Sequence, residues 1–370
     1  MTDRNQALLI FLLVAGLTAN EAAAMSIGFA SLGAPIVAGD KLIFAERFWE
    51  AHRLICIDKQ TGKKLWETID RERALKPWLV WNDRLMVTAG SDLQSCDIET
   101  GKLTTLYQTG FEDCSSVTRD GEVILVIGRR RDIDYISAVD LKGWRKLWET
   151  PRIHELSANG SGILLCAKGT RKTTRVPKGG YTYVDNAVVG VSKETGKVLW
   201  RRPLGKNDWT PPAIAVSNYF VVGIEGTALC LRQTDGRVLK ELKLTGDDDW
   251  PLAFALRGER VLMWLKFSVS ELTVPDLQKT DLLYAGGYSA AEVQVYKDSV
   301  IGGSLYENHG WQISTGYLFS KERQWHAAPV KEGFIYFGKP DDGETTSMNR
   351  IEVSTGKIDK LYSEPLNRRQ

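Results

Sequence analysis

CIDKQTGKKLW, residues 56–66, returns along the chain as CDIETGKLTTL (96–106), VDLKGWRKLW (139–148) and VSKETGKVLW (191–200). Fainter copies follow as LRQTDGRVLK (231–240), PDLQKTDLLY (275–284), QISTGYLFS (312–320) and EVSTGKIDKLY (352–362). Their central glycines are Gly62, Gly101, Gly143, Gly196, Gly236, Gly316 and Gly356, with Gln278 standing in the sixth copy. The intervals are mostly 38–42 residues, with one of 53. Such a period identifies a repeat architecture before any single element is assigned.

A second phrase precedes each copy: two apolar runs around a tight polar turn, as in APIVAGDKLIFAE (34–46), WLVWNDRLMVTAG (78–90) and SVTRDGEVILVIG (116–128). Gly-Asp, Asn-Asp and Asp-Gly tolerate the positive φ that hairpin turns demand. Each unit therefore reads as two hairpins, or four strands. Eight such units predict an all-β fold, an eight-bladed β-propeller of four-stranded antiparallel blades, whose radial closure protects strand edges. Within the repeat, Asp58, Asp97 and Ser192 are placed to accept hydrogen bonds from turn amides, while Gly62, Gly101 and Gly196 take the left-handed position. Trp66, Trp148 and Trp200 follow the turns and are expected to pack between neighbouring blades.

The repeat resembles the PQQ-like (pyrroloquinoline quinone) propeller repeat, whose pattern is carried by Ile57-Asp58, Thr61-Gly62 and Trp66, and again by Thr195-Gly196 and Trp200. The likeness spans residues 34–365 and is strongest in the first and fourth units. In repeat count and length the chain is most similar to the BamB family of outer-membrane assembly factors. That resemblance implies a cell-envelope protein that binds other proteins without catalysis. Quinoprotein dehydrogenases share the repeat, so a quinone-dependent or other small-ligand enzyme is the alternative. Those enzymes place a vicinal cysteine pair over the cofactor, whereas no two cysteines here are closer than Cys96 and Cys114. PQQ and other cofactors are therefore not expected.

Composition agrees with a globular chain. Of 370 residues, 43% are apolar and 25% charged, and 48 basic residues face 46 acidic ones for a net charge of +2. So even a balance argues against nucleic acid as the default partner. Residues 7–19 (ALLIFLLVAGLTA) follow Arg4 and precede Ala22-Ala23-Ala24, the pattern of a cleavable signal over residues 1–24. A run of 13 is too short to span a bilayer. The mature chain would be a single propeller domain, 25–370, periplasmic or secreted. Translation from Met25 would instead leave it cytoplasmic. The first cysteine is Cys56, so no lipid anchor is expected, and the five widely spaced cysteines form neither a zinc site nor a disulfide framework.

Loops joining hairpins gather at one end of a propeller, and loops on a rigid scaffold are where function concentrates. The sequence predicts that this joining end carries the long connections, among them Arg47–Arg53, Arg129–Asp134, Lys168–Asp185 and Leu244–Trp250. The 53-residue interval places an insertion in the fourth unit. With its neighbour it assembles Arg129, Arg130, Arg131, Lys168, Arg171, Lys172, Arg175 and Lys178 in adjacent blades. This basic patch is the candidate binding surface for a protein partner or a polyanion; its alternative is a solvated pair of loops neutralised by Asp132, Asp134 and Asp185. Asp247, Asp248, Asp249, Asp341, Asp342 and Glu344 would form an acidic arc across the ring. His52, His154, His309 and His326 fall on separate blades without ligand spacing, so no metal site and no catalytic residue is assigned.

Overall fold

In the computed structural model, residues 35–365 are described except for 49–50, 174–180, 205–210, 225, 245–250, 266–267, 285–291, 297–298, 304–306, 313–315, 323–324, 328–333, 342–344 and 353–356. The proposed signal, Arg175, Lys178, Asp247 to Asp249, Asp342 and Glu344 lie outside the described residues. The described elements are strands, paired antiparallel into four-stranded sheets that each use four consecutive strands. We number these sheets along the chain: sheet 1 spans residues 36–70, sheet 2 75–108, sheet 3 113–151, sheet 4 153–203, sheet 5 213–243, sheet 6 253–284, sheet 7 292–322 and sheet 8 325–365.

Side-chain alternation explains why the sheets stack. Along the second strand of sheet 1, Ile43 and Ala45 pack on Leu85 and Val87 of sheet 2, while Leu42 and Phe44 turn the other way onto Tyr336 and Met348 of sheet 8. Both faces of this strand are thus buried, which is why Leu42 to Ala45 run continuously apolar rather than alternating. The same arrangement recurs between sheets 2 and 3, 3 and 4, 4 and 5, and 5 and 6. Among first strands, Ile36–Ala38 meets Leu75–Trp81, Ile153–Asn159 meets Ala213–Val216, and Ala253–Arg257 meets Glu292–Tyr296. The sheets therefore converge on their first strands and splay toward their fourth, whose side chains are largely exposed in sheets 2 and 5.

The turn phrase behaves as its chemistry predicts. Asp58 Oδ1 accepts from the amides of Gln60 (3.0 Å) and Thr61 (2.6 Å) and from the Thr61 hydroxyl (2.7 Å). Asp97 repeats this with Glu99 and Thr100, and Ser192 Oγ accepts more weakly from Thr195 N at 3.3 Å. Gly62, Gly101, Gly196 and Gly236 are left-handed. The third copy departs from the prediction: Gly143 is not left-handed, and Trp144 (φ 49°) donates its N–H to Asp140 O, as Gly62 does to Asp58 O. The Asp140 carboxylate holds the Gly143 amide (3.0 Å) and so shifts the left-handed position by one residue. In the sixth copy Leu277, not Gln278, takes that conformation, with φ 52°.

Each repeat tryptophan docks on the next sheet's turn. Trp66 lies over Gly101, Trp148 over Gly196 and Trp200 over Gly236; a Cβ on any of these glycines would stand 2.5–2.6 Å from the indole. Their Nε1 atoms donate to Ile98 O (2.8 Å), Lys193 O (2.7 Å) and Gln233 O (2.8 Å). Between sheets 2 and 3 the partners are exchanged. Sheet 2 has Thr105 where sheets 1, 3 and 4 have tryptophan, and the large ring comes instead from Trp144 in the turn, edge-on to Trp81 at 5.9 Å.

Sheet 8 returns to sheet 1. Gly62 is approached by the backbone carbonyl of Leu361, so that only glycine fits there. The Phe44 and Tyr362 rings lie 5.9 Å apart. Arg53 pairs with buried Glu46 and with Glu67 (2.9 Å), and Lys64 joins Glu67 (3.1 Å) to Glu364 (3.0 Å), which also accepts from the Tyr362 hydroxyl. Among the described residues this seam is held by side chains, since every described strand of sheets 1 and 8 is drawn from its own repeat.

Candidate functional site

The joining ends of sheets 3 and 4 are ribbons rather than loose loops. In sheet 3, Val123–Arg130 and Ile133–Asp140 pair up to Arg130↔Ile133 and are linked by Arg131 and Asp132 alone, both left-handed (φ 51° and 62°). That is the conformation of a two-residue primed turn, whose twist matches the strands it joins. In sheet 4, Ile163–Thr173 and Tyr181–Ser192 pair out to Thr173↔Tyr181. The expected loop at 129–134 is thus corrected, and so is the one at 168–185 over its described residues 168–173 and 181–185. The insertion lengthens two strands into an extended hairpin, whose backbone ladder continues through the polar residues Lys168 to Thr173.

The predicted cations separate into different roles. Arg130 is half-buried and neutralised: it donates to Glu149 at 2.6 Å, and its guanidinium lies 4.5 Å from the Tyr135 ring centroid and 5.9 Å from that of Phe111. Arg131 is exposed at the turn, its own N–H bonded to Glu112 at 3.0 Å. Arg129 stands opposite Asp134. Lys172 is exposed, Arg171 half-buried.

Lys168 has a different environment, created by two arginines that no repeat phrase marks. Arg152 alone links Pro151 of sheet 3 to Ile153 of sheet 4, held left-handed (φ 63°) by bonds from its N–H to Asp134 O (2.6 Å) and from Gly169 N to its carbonyl (3.1 Å). Arg201, on the fourth strand of sheet 4, donates to Asp185 O at 3.1 Å. Burial, then repulsion from Arg152 and Arg201, pushes the Lys168 ammonium below the usual lysine range.

A polar chain crosses the same seam. The Tyr183 hydroxyl of sheet 4 donates to Asp134 of sheet 3 at 2.9 Å, and its ring stacks on His154 at 3.8 Å and 13°. Burial lowers His154 to about 4, so the imidazole is neutral near pH 7, and its Nδ1 has no hydrogen-bond partner among the described residues. Burial raises the Asp134 carboxyl, although the Tyr183 bond and the Arg129 charge oppose it. Nothing in the local phrases announces this assembly; His154 and Tyr183 meet within sheet 4, and Tyr183 reaches Asp134 across the seam.

Among the described residues no three His, Cys, Asp or Glu side chains gather as a metal cage. The five cysteines are free and buried, and burial pushes the Cys56 and Cys96 thiols up to about 12. They are packing groups rather than nucleophiles.

The profile of a known family, described as outer membrane protein assembly factor BamB, matches residues 19–151 and 132–258, together more than half of the chain. The chain belongs to the BamB family of PQQ-like propellers. No curated protein matches it in sequence. Among solved structures, the BamB of Moraxella catarrhalis is 11% identical with a TM-score of 0.54, over 78% of this chain and 87% of that one. The computationally designed protein Ika8 is 14% identical with a TM-score of 0.62, over 90% and 96%. At these identities the matches establish the β-propeller fold. In the BamB-family frame the sheets are blades, and the ribbons of sheets 3 and 4 stand on one end of the propeller. No helix among the described residues is long and apolar enough to cross a membrane.

Proposed function

We propose that this chain is a non-catalytic binding propeller of the cell envelope, closed as a wheel of eight blades, that holds a protein partner on the end carrying the 129–134 turn and the 163–192 hairpin. Membership of a family described by outer-membrane protein assembly supports the compartment and the class of partner. Packing of sheet 8 on sheet 1 supports the closed wheel. The carrying observation is local: Arg131 and Lys172 are exposed on tightly registered ribbons instead of wandering loops. Binding groups fixed in this way lose little freedom on association, which favours affinity. The reading places the signal at residues 1–24, the propeller at 25–370, and needs no cofactor.

The test is affinity capture from the native cell envelope with the full chain and with an Arg131→Glu/Lys172→Glu variant. Envelope proteins should be retained by the parent and lost from the reversed-charge form, with retention falling as salt rises. Equal capture by both forms would sink the choice of surface.

A further inference from the structure

The joining end of the seam between sheets 3 and 4 holds more than an exposed basic patch. Along the fourth blade's second strand, Leu164 and Cys166 face sheet 3, in the cluster with Leu125, Ile127 and Ile136. By the two-residue period Lys168 is the next rung on that face, opposite Ala187, which belongs to the same cluster. Arg201 is paired with Val189, another member, and so shares the face. Arg152 adjoins through the bond from Gly169 N to its carbonyl. Arg152 and Arg201 are near enough to repel the Lys168 ammonium where the apolar seam ends. No acidic side chain pairs with Lys168 or Arg152 among the described residues, and the nearby Asp134 is engaged by the Tyr183 hydroxyl. Mutual repulsion of this kind costs stability, and an anion seated there would relieve it.

We infer that Lys168, Arg152 and Arg201 form a binding site for a phosphate monoester group. A phosphate carries about −1.5 to −2 charges near neutral pH and accepts bidentate hydrogen bonds from guanidinium groups, matching one ammonium flanked by two arginines. A carboxylate would neutralise less of the field. His154, neutral and stacked on Tyr183, leaves Nδ1 at the inner edge of the same seam. The site stands apart from the protein-partner reading, because it needs neither Arg131 nor Lys172.

Calorimetric titration of the full chain with inorganic phosphate tests it. Saturable binding is expected, weakened about tenfold in Lys168→Gln and in Arg152→Gln, the loss that follows from one charge-assisted hydrogen bond. Lys168→Arg should keep most of the affinity, and Arg131→Glu/Lys172→Glu should leave it unchanged even where partner capture is lost. If Lys168→Gln does not fold by circular dichroism, the exposed Arg201→Gln supplies the same reading. Two further arms locate the source of the group: a soluble phosphate monoester, and vesicles of phosphatidylcholine with or without phosphatidic acid. Lys168-dependent binding in either arm supports the site. Absence of saturable phosphate binding, or equal affinity in the Lys168→Gln and Arg152→Gln variants and the parent, overturns it.

Discussion

Replacing Gly196 by alanine imposes two separate costs, and a second glycine isolates one of them. Gly196 has φ 69°, so any side chain incurs the left-handed penalty of about 1 kcal/mol. The new Cβ would also stand 2.6 Å from the Trp148 ring, an overpacking cost of about 1–3 kcal/mol. Gly121 has φ 59°, and a methyl group added to it would meet nothing within 4 Å, so it carries the first cost alone. Gly196→Ala should therefore lower stability by about 2–4 kcal/mol against about 1 kcal/mol for Gly121→Ala. Urea unfolding followed by far-ultraviolet circular dichroism reads both. Trp148→Ala alone should cost about 3–5 kcal/mol, and combining it with Gly196→Ala should cost less than the two singles added, since the clash vanishes with the ring. Equal midpoints for the two alanine variants, or strict additivity in the double, would refute the docking of tryptophan on the turn.

At the seam of sheets 8 and 1, burial raises Glu364, but the Tyr362 hydroxyl, Lys64 and Arg53 outweigh it and hold the carboxyl below its usual range. A carboxylate depressed on folding stabilises above its unfolded pKa of about 4.3 and loses that contribution as pH falls through the folded value. Amide protection factors in sheets 1 and 8, which correct for the intrinsic pH dependence of exchange, should fall below about pH 4.5, and less steeply in Glu364→Gln. His154 titrates near 4 when folded against about 6.5 unfolded, so stability should fall as pH drops from 6.5 toward 4. Its imidazole resonances should stay flat from pH 8 to about 5 by NMR, and a midpoint near 6.5 would contradict its burial. The five cysteines should resist a thiol reagent in the native chain and all react in denaturant.

Turn chemistry is local, and local features were the legible ones. Asp58, Asp97 and the left-handed Gly62, Gly101 and Gly196 stand within a few residues of the groups they serve, so the phrase alone specifies them. Gly143 misled for the same reason: its phrase shows a glycine, while the carbonyl of Asp140 selects the following Trp144. The basic patch was legible as composition and illegible as chemistry. Arg130 is neutralised by Glu149 from a strand 19 residues away, a pairing that no local pattern displays. Arg152 and Arg201 join Lys168 only through the register of neighbouring strands and the Gly169 contact. The loops anticipated at 129–134 and, over the described residues, at 168–173 and 181–185 are ribbons because strand pairing continues through polar sequence.

In the closed wheel proposed above, no described strand of sheet 1 or sheet 8 is borrowed from the other, so no backbone weave among them decides where the ring must be cut. Opening the chain at a link between two other blades and splicing residues 365 and 36 through a short tether would yield circular permutants with the same ladders intact. Which joint forms last during synthesis would then be set by gene order rather than by architecture.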